Sequence, residues 1–267
     1  MMLKALKKEF FQHLSAAQAS WHARAQAEYM KDHSFTEAWG EYKTRNEMHL
    51  YMHHYFSHSL DDEIKSHRIY YKQDQRGFGE DAFHAMWFTL LNEFRPTKCL
   101  EIGVYRGQVI SLWSLISRRF GFETDIHGIA PFTPSGDQVS VYLRNIDYHV
   151  DVLSHHRHFG LKAPSLIKAF STDDIAINHI QSSRWDLIYI DGSHDYDVAL
   201  ADYQLCKEQL AQGGLLVMDD SSLYSDYKAP MFSFAGHPGP SRVVQDFAMK
   251  ELRFIGAVGH NNVFMKT

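Results

Sequence analysis

Two short stretches carry residues whose types and spacing could do chemistry. Asp186-Leu-Ile-Tyr-Ile-Asp-Gly-Ser-His-Asp-Tyr196 ends an apolar run on Asp191 and sets His194 three residues further on. Gly214-Leu-Leu-Val-Met-Asp-Asp220 ends another on the pair Asp219 and Asp220. If both runs are neighbouring strands of a parallel sheet, their carboxyl ends deliver these side chains to one crevice. Carboxylates gathered there repel one another unless a proton or a cation intervenes. A donor set of oxygens without Cys suits a hard ion such as Mg²⁺ or Ca²⁺. Taken singly, each Asp is equally suited to capping a helix.

A third stretch supplies a pocket. Cys99-Leu-Glu-Ile-Gly-Val-Tyr-Arg-Gly107 precedes an apolar run from Val109 to Ile116, which reads as strand, glycine turn and helix. Gly103 and Gly107 fall on the turn, where positive φ and a missing Cβ let a ligand approach the backbone. The helix behind them aims amide donors at whatever occupies the turn. Neither a dinucleotide G-x-G-x-x-G nor a phosphate-loop Gly-Lys-Ser/Thr is present.

The rest of the chain must position these pieces. Asp81 to Phe94 reads as an apolar helix stopped by Arg95-Pro96, and Asp125 to Pro131 as a second strand. Val139 to His158 reads as a helix and Ser165 to Phe170 as a third strand, with Ser171 or Thr172 capping the helix after it. Tyr196 to Leu210 reads as a helix, and Gly213-Gly214 turns into a fifth strand, Leu215 to Met218. Ser241 to Leu252 reads as the last helix, ahead of a closing hairpin, Phe254 to Val258 and Asn262 to Met265, through Gly259-His-Asn. Strands alternating with helices, each strand a nearly continuous apolar run, imply an α/β doubly wound sheet, mostly parallel and covered on both faces.

The polar, glycine-bearing break Gln73 to Glu80 divides the chain into an N-terminal helical region, 1–80, and a main domain, 81–267. Leu3, Leu6, Phe10, Leu14, Ala17, Trp21 and Ala25 recur at helical spacing, for packing on the domain or on a second subunit. Phe35 to Tyr71 reads as helical, with Asp32 or Ser34 as cap. Its pairs His49/His53 and His54/His58 are each one turn apart, the spacing of a metal clamp, although packing or the lining of an acceptor pocket is the simpler use. With 18 His in the chain, such pairs arise by chance.

A formal charge of −5 argues against a nucleic-acid binder. No apolar run of about 18 residues exists to cross a membrane. Cys99 and Cys206 lie in apolar settings and read as free thiols; with no secretory signal apparent, a cytoplasmic enzyme is the expectation.

From about Asp81 onward the chain resembles the class I S-adenosylmethionine (SAM)-dependent methyltransferases. Within these it is similar to the metal-dependent small-molecule O-methyltransferases that modify sugars and macrolides. The resemblance rests on Glu101-Ile-Gly-Val-Tyr-Arg-Gly107, Ile190-Asp-Gly-Ser-His-Asp-Tyr196 and Val217-Met-Asp-Asp220. It implies a seven-stranded Rossmann-like sheet. It implies that Glu101, Gly103, Tyr105, Arg106 and Gly107 bind the cofactor's amino-acid end, with Ser171 and Thr172 by its adenine. It further implies that Asp191, Asp219 and Asp220 hold Mg²⁺ and that His194, with Asp191, does the catalytic work as the base acting on a hydroxyl of a polyol or sugar. Physical chemistry agrees: a dication favours the alkoxide, and His suits removal of a proton near neutrality. One departure stands out, since Gly128-Ile-Ala-Pro131 offers no acid at the end of strand two for the ribose; Asp137 in the next loop could substitute, or backbone and water could hold the ribose. A metal-dependent hydroxylase-like relative of the same fold, or a SAM-binding protein without catalysis, are the alternative readings.

Overall fold

The computed structural model describes residues 32–140 and 142–267. The helix expected over Leu3 to Met30, and any self-association through it, lies outside the described residues.

Seven strands form one sheet in the order β3-β2-β1-β4-β5-β7-β6. They are β1 Lys98–Ile102, β2 Asp125–Ala130, β3 Ser165–Lys168, β4 Trp185–Ile190, β5 Leu210–Met218, β6 Arg253–Val258 and β7 Asn261–Met265. The first five run parallel, and β7 enters antiparallel between β5 and β6. The chain order reverses between β1 and β4, which is where an open parallel sheet leaves a crevice.

The continuous apolar runs are explained by burial on both faces. Leu187, Tyr189, Leu215 and Val217 point into one core with Trp87 and Trp113. Their neighbours Ile188, Ile190, Leu216 and Met218 point into the other, with Trp185 and Tyr203. The helices are α1 Phe35–Glu41, α2 Arg45–His58, α3 Asp62–Lys72, α4 Asp81–Phe94, α5 Gln108–Phe120, α6 Tyr148–His158, α7 Asp174–Gln181, α8 Tyr196–Gln209 and α9 Pro238–Val243. Helix α9 continues through a π turn, Val244–Ala248, into a last turn, Met249–Glu251. Helix α2 packs on α4 and β6, so the N-terminal helices lean on the same sheet face as α4 and α5.

Local chemistry corrects four sequence expectations. The span Phe35 to Tyr71 is three helices rather than one, because Ser34, Thr44 and Asp61 each accept a backbone N–H at a new N-terminus; Ser34 with Glu37 makes a full capping box. The helix expected from Val139 begins only at Tyr148. Asp137 captures the Val139 and Ser140 amides, and Asp147 caps the helix by accepting from Val150. Neither Ser171 nor Thr172 caps α7; Asp173 occupies that position. Strand β5 starts at Leu210, its register against β4 shifting between Trp185 and Leu187. The closing hairpin forms as expected, and Cys99 and Cys206 are buried free thiols. No helix among the described residues is long and apolar enough to cross a membrane.

Candidate active site

The parallel ladder runs one residue past the strand ends and thereby sets the acidic side chains. The Asp191 amide donates to Ile102 O at 2.8 Å, and the Asp219 amide to Ile190 O at 3.0 Å. Gly103 is at φ 101°, and a Cβ there would overlap the Asp191 carbonyl. Glycine is therefore required where β1 and β4 leave the sheet side by side. Asp220 turns out of β5 at φ 49°, a left-handed conformation unusual for Asp. Its carbonyl accepts from the His237 amide at 2.8 Å, closing the 221–237 loop over the strand ends.

The structure brings the four expected residues together. Asp191 and Asp219 share a hydrogen bond, and Asp220 Oδ2 lies 2.8 Å from His194 Nε2. Burial, with Asp219 and Asp220 beside it, raises Asp191 well above the ordinary carboxylate range, so in the free site it keeps a proton and donates to Asp219. Burial alone would raise Asp219 too, but the charge and hydrogen bond of His260 outweigh it and hold Asp219 low. Burial and Asp219 raise Asp220. The three carboxylates offer only oxygen donors, a set that fits a hard divalent ion.

His194 is held at both nitrogens, with Nδ1 2.6 Å from Asp137 Oδ2 and Nε2 facing Asp220. Burial pulls its pKa down, but the two carboxylates outweigh it and leave it at about 9. Asp137 also accepts from the His194 amide at 2.8 Å. Its carboxylate is thus engaged by His194 and the 139–140 turn, and the ribose role considered for it has no support in this arrangement.

Two histidines that the sequence did not single out complete the cluster. His260, at the β6–β7 turn, places Nε2 3.3 Å from Asp219 and 3.5 Å from Asp220; His237 Nε2 lies 3.7 Å from Asp220. Burial opposes charging His260, and Asp219 and Asp220 raise it to about 9. Only the insertion of β7 beside β5 brings the Gly259-His-Asn turn here, and no spacing in the sequence signals that.

A cavity of about 900 Å³ runs from this cluster along the glycine turn. Glu101, Gly103, Tyr105 and Thr172 line it, as do Ala130 and Phe132 at the end of β2. Glu101 is buried on β1; burial raises it to about 8 against the pull of the Ile110 amide, and its Oε2 has no hydrogen-bond partner. Gly107, at φ 82°, ends the turn and opens α5 without a side-chain cap. Arg106 borders the cavity, but its guanidinium is committed elsewhere: Nε donates to Asp151 at 2.5 Å and Nη1 to the Asp74 carbonyl at 2.7 Å. Ser171 donates to Asp202 at 3.1 Å, a carboxyl that burial raises to about 6.

Residues 100–221 match the family model described as a methyltransferase domain. Over that stretch, a little under half of the chain, the sequence is similar to a methyltransferase domain. The fold of the chain is shared with the S-adenosylhomocysteine (SAH)-bound methyltransferase PaMTH1 of Podospora anserina, at TM-score 0.54 and 14% identity over 78% of this chain and 88% of that one. It is shared too with an O-methyltransferase from Bacillus cereus in complex with SAH, at TM-score 0.50 and 12% identity over 77% and 90% of the two chains. Cofactor-bound Rv0187 from MTB aligns at TM-score 0.52 and 12% identity over 77% and 90%. No curated protein matches the sequence. The matched stretch runs from within β1 to just past the end of β5 and contains the glycine turn, Asp191, His194, Asp219 and Asp220.

Proposed function

We propose that the protein is a SAM-dependent O-methyltransferase that methylates a hydroxyl of a small polyol or sugar-type molecule with the help of a divalent cation such as Mg²⁺. The observation that carries the reading is that Asp191, Asp219, Asp220 and His194 converge on the same cavity as the Gly103–Gly107 turn. SAM would supply an electrophilic methyl group, and the ion held by Asp191, Asp219 and Asp220 would lower the cost of ionising the acceptor hydroxyl.

In this reading the chain's own residues do the rest. Gly103, Gly107 and the amides opening α5 hold the cofactor's amino-acid end, with Glu101 buried beneath, while Thr172 and the Ala130–Phe132 turn flank the adenosine. Tyr105 borders the same cavity, and Arg106 contributes by bracing the turn through Asp151. With Asp220 engaged by the cation, His194 would lose one of the two charges that keep it protonated, and Nε2 would then take the acceptor's proton while Asp137 fixes the ring through Nδ1. Phe83, Phe232 and Phe234 give an apolar wall for the faces of a ring and, with the 221–237 loop, keep water from the reacting atoms. Region 1–80 acts as a cap on the acceptor side of domain 81–267.

The test is transfer of labelled methyl from SAM to a panel of hydroxylated acceptors with Mg²⁺. Turnover should fall at least about 100-fold with chelator and in Asp219→Asn. Undiminished turnover in chelator would refute the metal role, and SAM binding with no transfer to any acceptor would favour a non-catalytic binder.

A further inference from the structure

We propose that His49, His53 and Glu80 form a second cation site, for a borderline divalent ion such as Zn²⁺, where α2 meets the 221–237 loop. This goes beyond the methyl-transfer reading and does not depend on it. His49 and His53 lie one turn apart on α2, and both aim Nε2 at the same oxygen, Glu80 Oε2, at 2.7 and 3.0 Å. His49 and Glu80 are largely buried, with side chains 3% and 12% exposed.

The hydrogen-bond directions around this trio leave a gap that a cation would fill. The Ser233 side chain sits close enough to Glu80 to help hold its carboxyl low. Tyr227 donates its hydroxyl proton to Ser233 Oγ at 3.2 Å. The Tyr227 oxygen also lies 2.9 Å from His49 Nδ1, and in the tautomer where Nδ1 carries the proton that oxygen accepts it. A neutral His49 in that tautomer turns the bare Nε2 lone pair toward a carboxylate oxygen at hydrogen-bonding distance. Two electron pairs do not face each other so closely without a positive centre between them: a second proton on His49, or a metal ion. Ligating histidines usually have their other nitrogen fixed by an oxygen partner, as Tyr227 does here.

The dimensions suit the ion. Tetrahedral Zn²⁺ with bonds of about 2.0–2.2 Å spaces its ligand atoms about 3.3–3.6 Å apart, so the present contacts of 2.7 and 3.0 Å need open by about 0.3–0.9 Å. Two imidazoles and one carboxylate prefer such an ion over Mg²⁺, which keeps the two sites chemically distinct. Glu80 and Ser233 line the cavity, so a remaining coordination position would face the acceptor end. An ion there would pin α2, the start of α4 and the 221–237 loop to one another.

The metal-stripped full-length protein, titrated calorimetrically with Zn²⁺ and spectroscopically with Co²⁺, tests this. Wild type should bind an ion at this site with the visible bands of nitrogen-ligated Co²⁺, in addition to any ion taken by the aspartate cluster. His53→Ala and Glu80→Gln should each weaken that site at least about 100-fold, and Tyr227→Phe about 10-fold. An Asp191→Asn/Asp219→Asn variant should keep it. His53 is partly exposed, so its truncation leaves the core intact, and an unchanged circular dichroism spectrum verifies this. Equal Zn²⁺ affinity in wild type, His53→Ala and Glu80→Gln overturns the site, as does its loss in the aspartate variant. Protonation of His49 with no metal bound at any pH overturns it too, leaving methyl transfer untouched.

Discussion

His194 concentrates the electrostatics of the site, because its two nitrogens join the loop after β2 to the end of β5. Asp137 and Asp220 together hold it at about 9 against burial. Replacing Asp137 by Asn removes one of the two charges that raise it, so the acid limb of the pH profile of kcat/KM should move to lower pH by about 1 unit. Turnover should also fall, since the ring loses the partner that orients it; a profile that stays in place would show that Asp137 does not govern His194. Gly103 makes a second prediction at this scale. Ala there must adopt φ 101° and overlap the Asp191 carbonyl, so Gly103→Ala should cost about 3 kcal/mol or more in chemical denaturation and weaken SAM binding. The second prediction concerns a residue whose position could be read from sequence, the first one that could not. Asp191, Asp219, Asp220 and Gly103 end apolar runs, and a parallel sheet brings such ends together. Asp137, His237 and His260 reach the cluster from a loop and two turns, whose paths depend on tertiary contacts that no local pattern encodes.

At the scale of elements, the glycine turn is braced from outside the sheet. Arg106 reaches from the turn to Asp151 on α6 and to the Asp74 carbonyl in the turn after α3, and His155 Nε2 lies 3.0 Å from the same Asp151. Burial would raise Asp151, but His155 and Arg106 outweigh it and hold the carboxyl at about 2. Removing one member of a largely buried pair strands the other, so Asp151→Ala should lower stability by about 3–5 kcal/mol. SAM affinity should drop with it, as the turn loses its brace; a stability loss below about 1 kcal/mol would mean that Arg106 finds another partner. This brace was invisible in sequence because α6 was expected to begin at Val139, nine residues before it does. The strands were legible, their apolar runs being long and flanked by Gly, Pro or Asp. The helix ends were less so, although Ser34-x-x-Glu37 and Thr44-x-x-Glu47 both carry the capping pattern that breaks the N-terminal helical span.

For the molecule as a whole, the buried histidines between α3, α4 and α5 set a limit on stability in acid. His67 is fully buried, with Nδ1 3.1 Å from His84 Nε2 and Nε2 2.9 Å from Ser111 Oγ. Burial, with the charges of neighbouring His156, Arg68 and His155, lowers His67 to about 3, and burial drives His84 well below its ordinary value. An unfolded chain protonates both near pH 6.5, whereas the folded one refuses those protons until far lower pH. Between pH 6.5 and about 3 the unfolded state therefore binds more protons, and stability rises with pH across that window. The contribution is complete above pH 6.5 and is lost as the solution is acidified. For His67 alone the loss at pH 5 relative to pH 8 comes to about 2 kcal/mol. Histidines with raised values, His194 and His260 at about 9, act in the opposite sense: their share is present below pH 6.5 and fades as pH climbs through 9. Between pH 8 and pH 5 each of them gains about 2 kcal/mol, which offsets the loss at His67 and His84, so the buried pair is read from the difference between wild type and a variant and not from wild type alone. Denaturation of wild type and variant at pH 5 and pH 8, in chelator so that bound ions do not mask the balance, isolates the share of His67. His67→Gln should be less stable at pH 8, having lost its contacts to His84 and Ser111, yet its stability should fall by about 2 kcal/mol less on going to pH 5. An identical fall in wild type and variant would place the acid sensitivity among the carboxylates of the crevice and not in this buried imidazole pair.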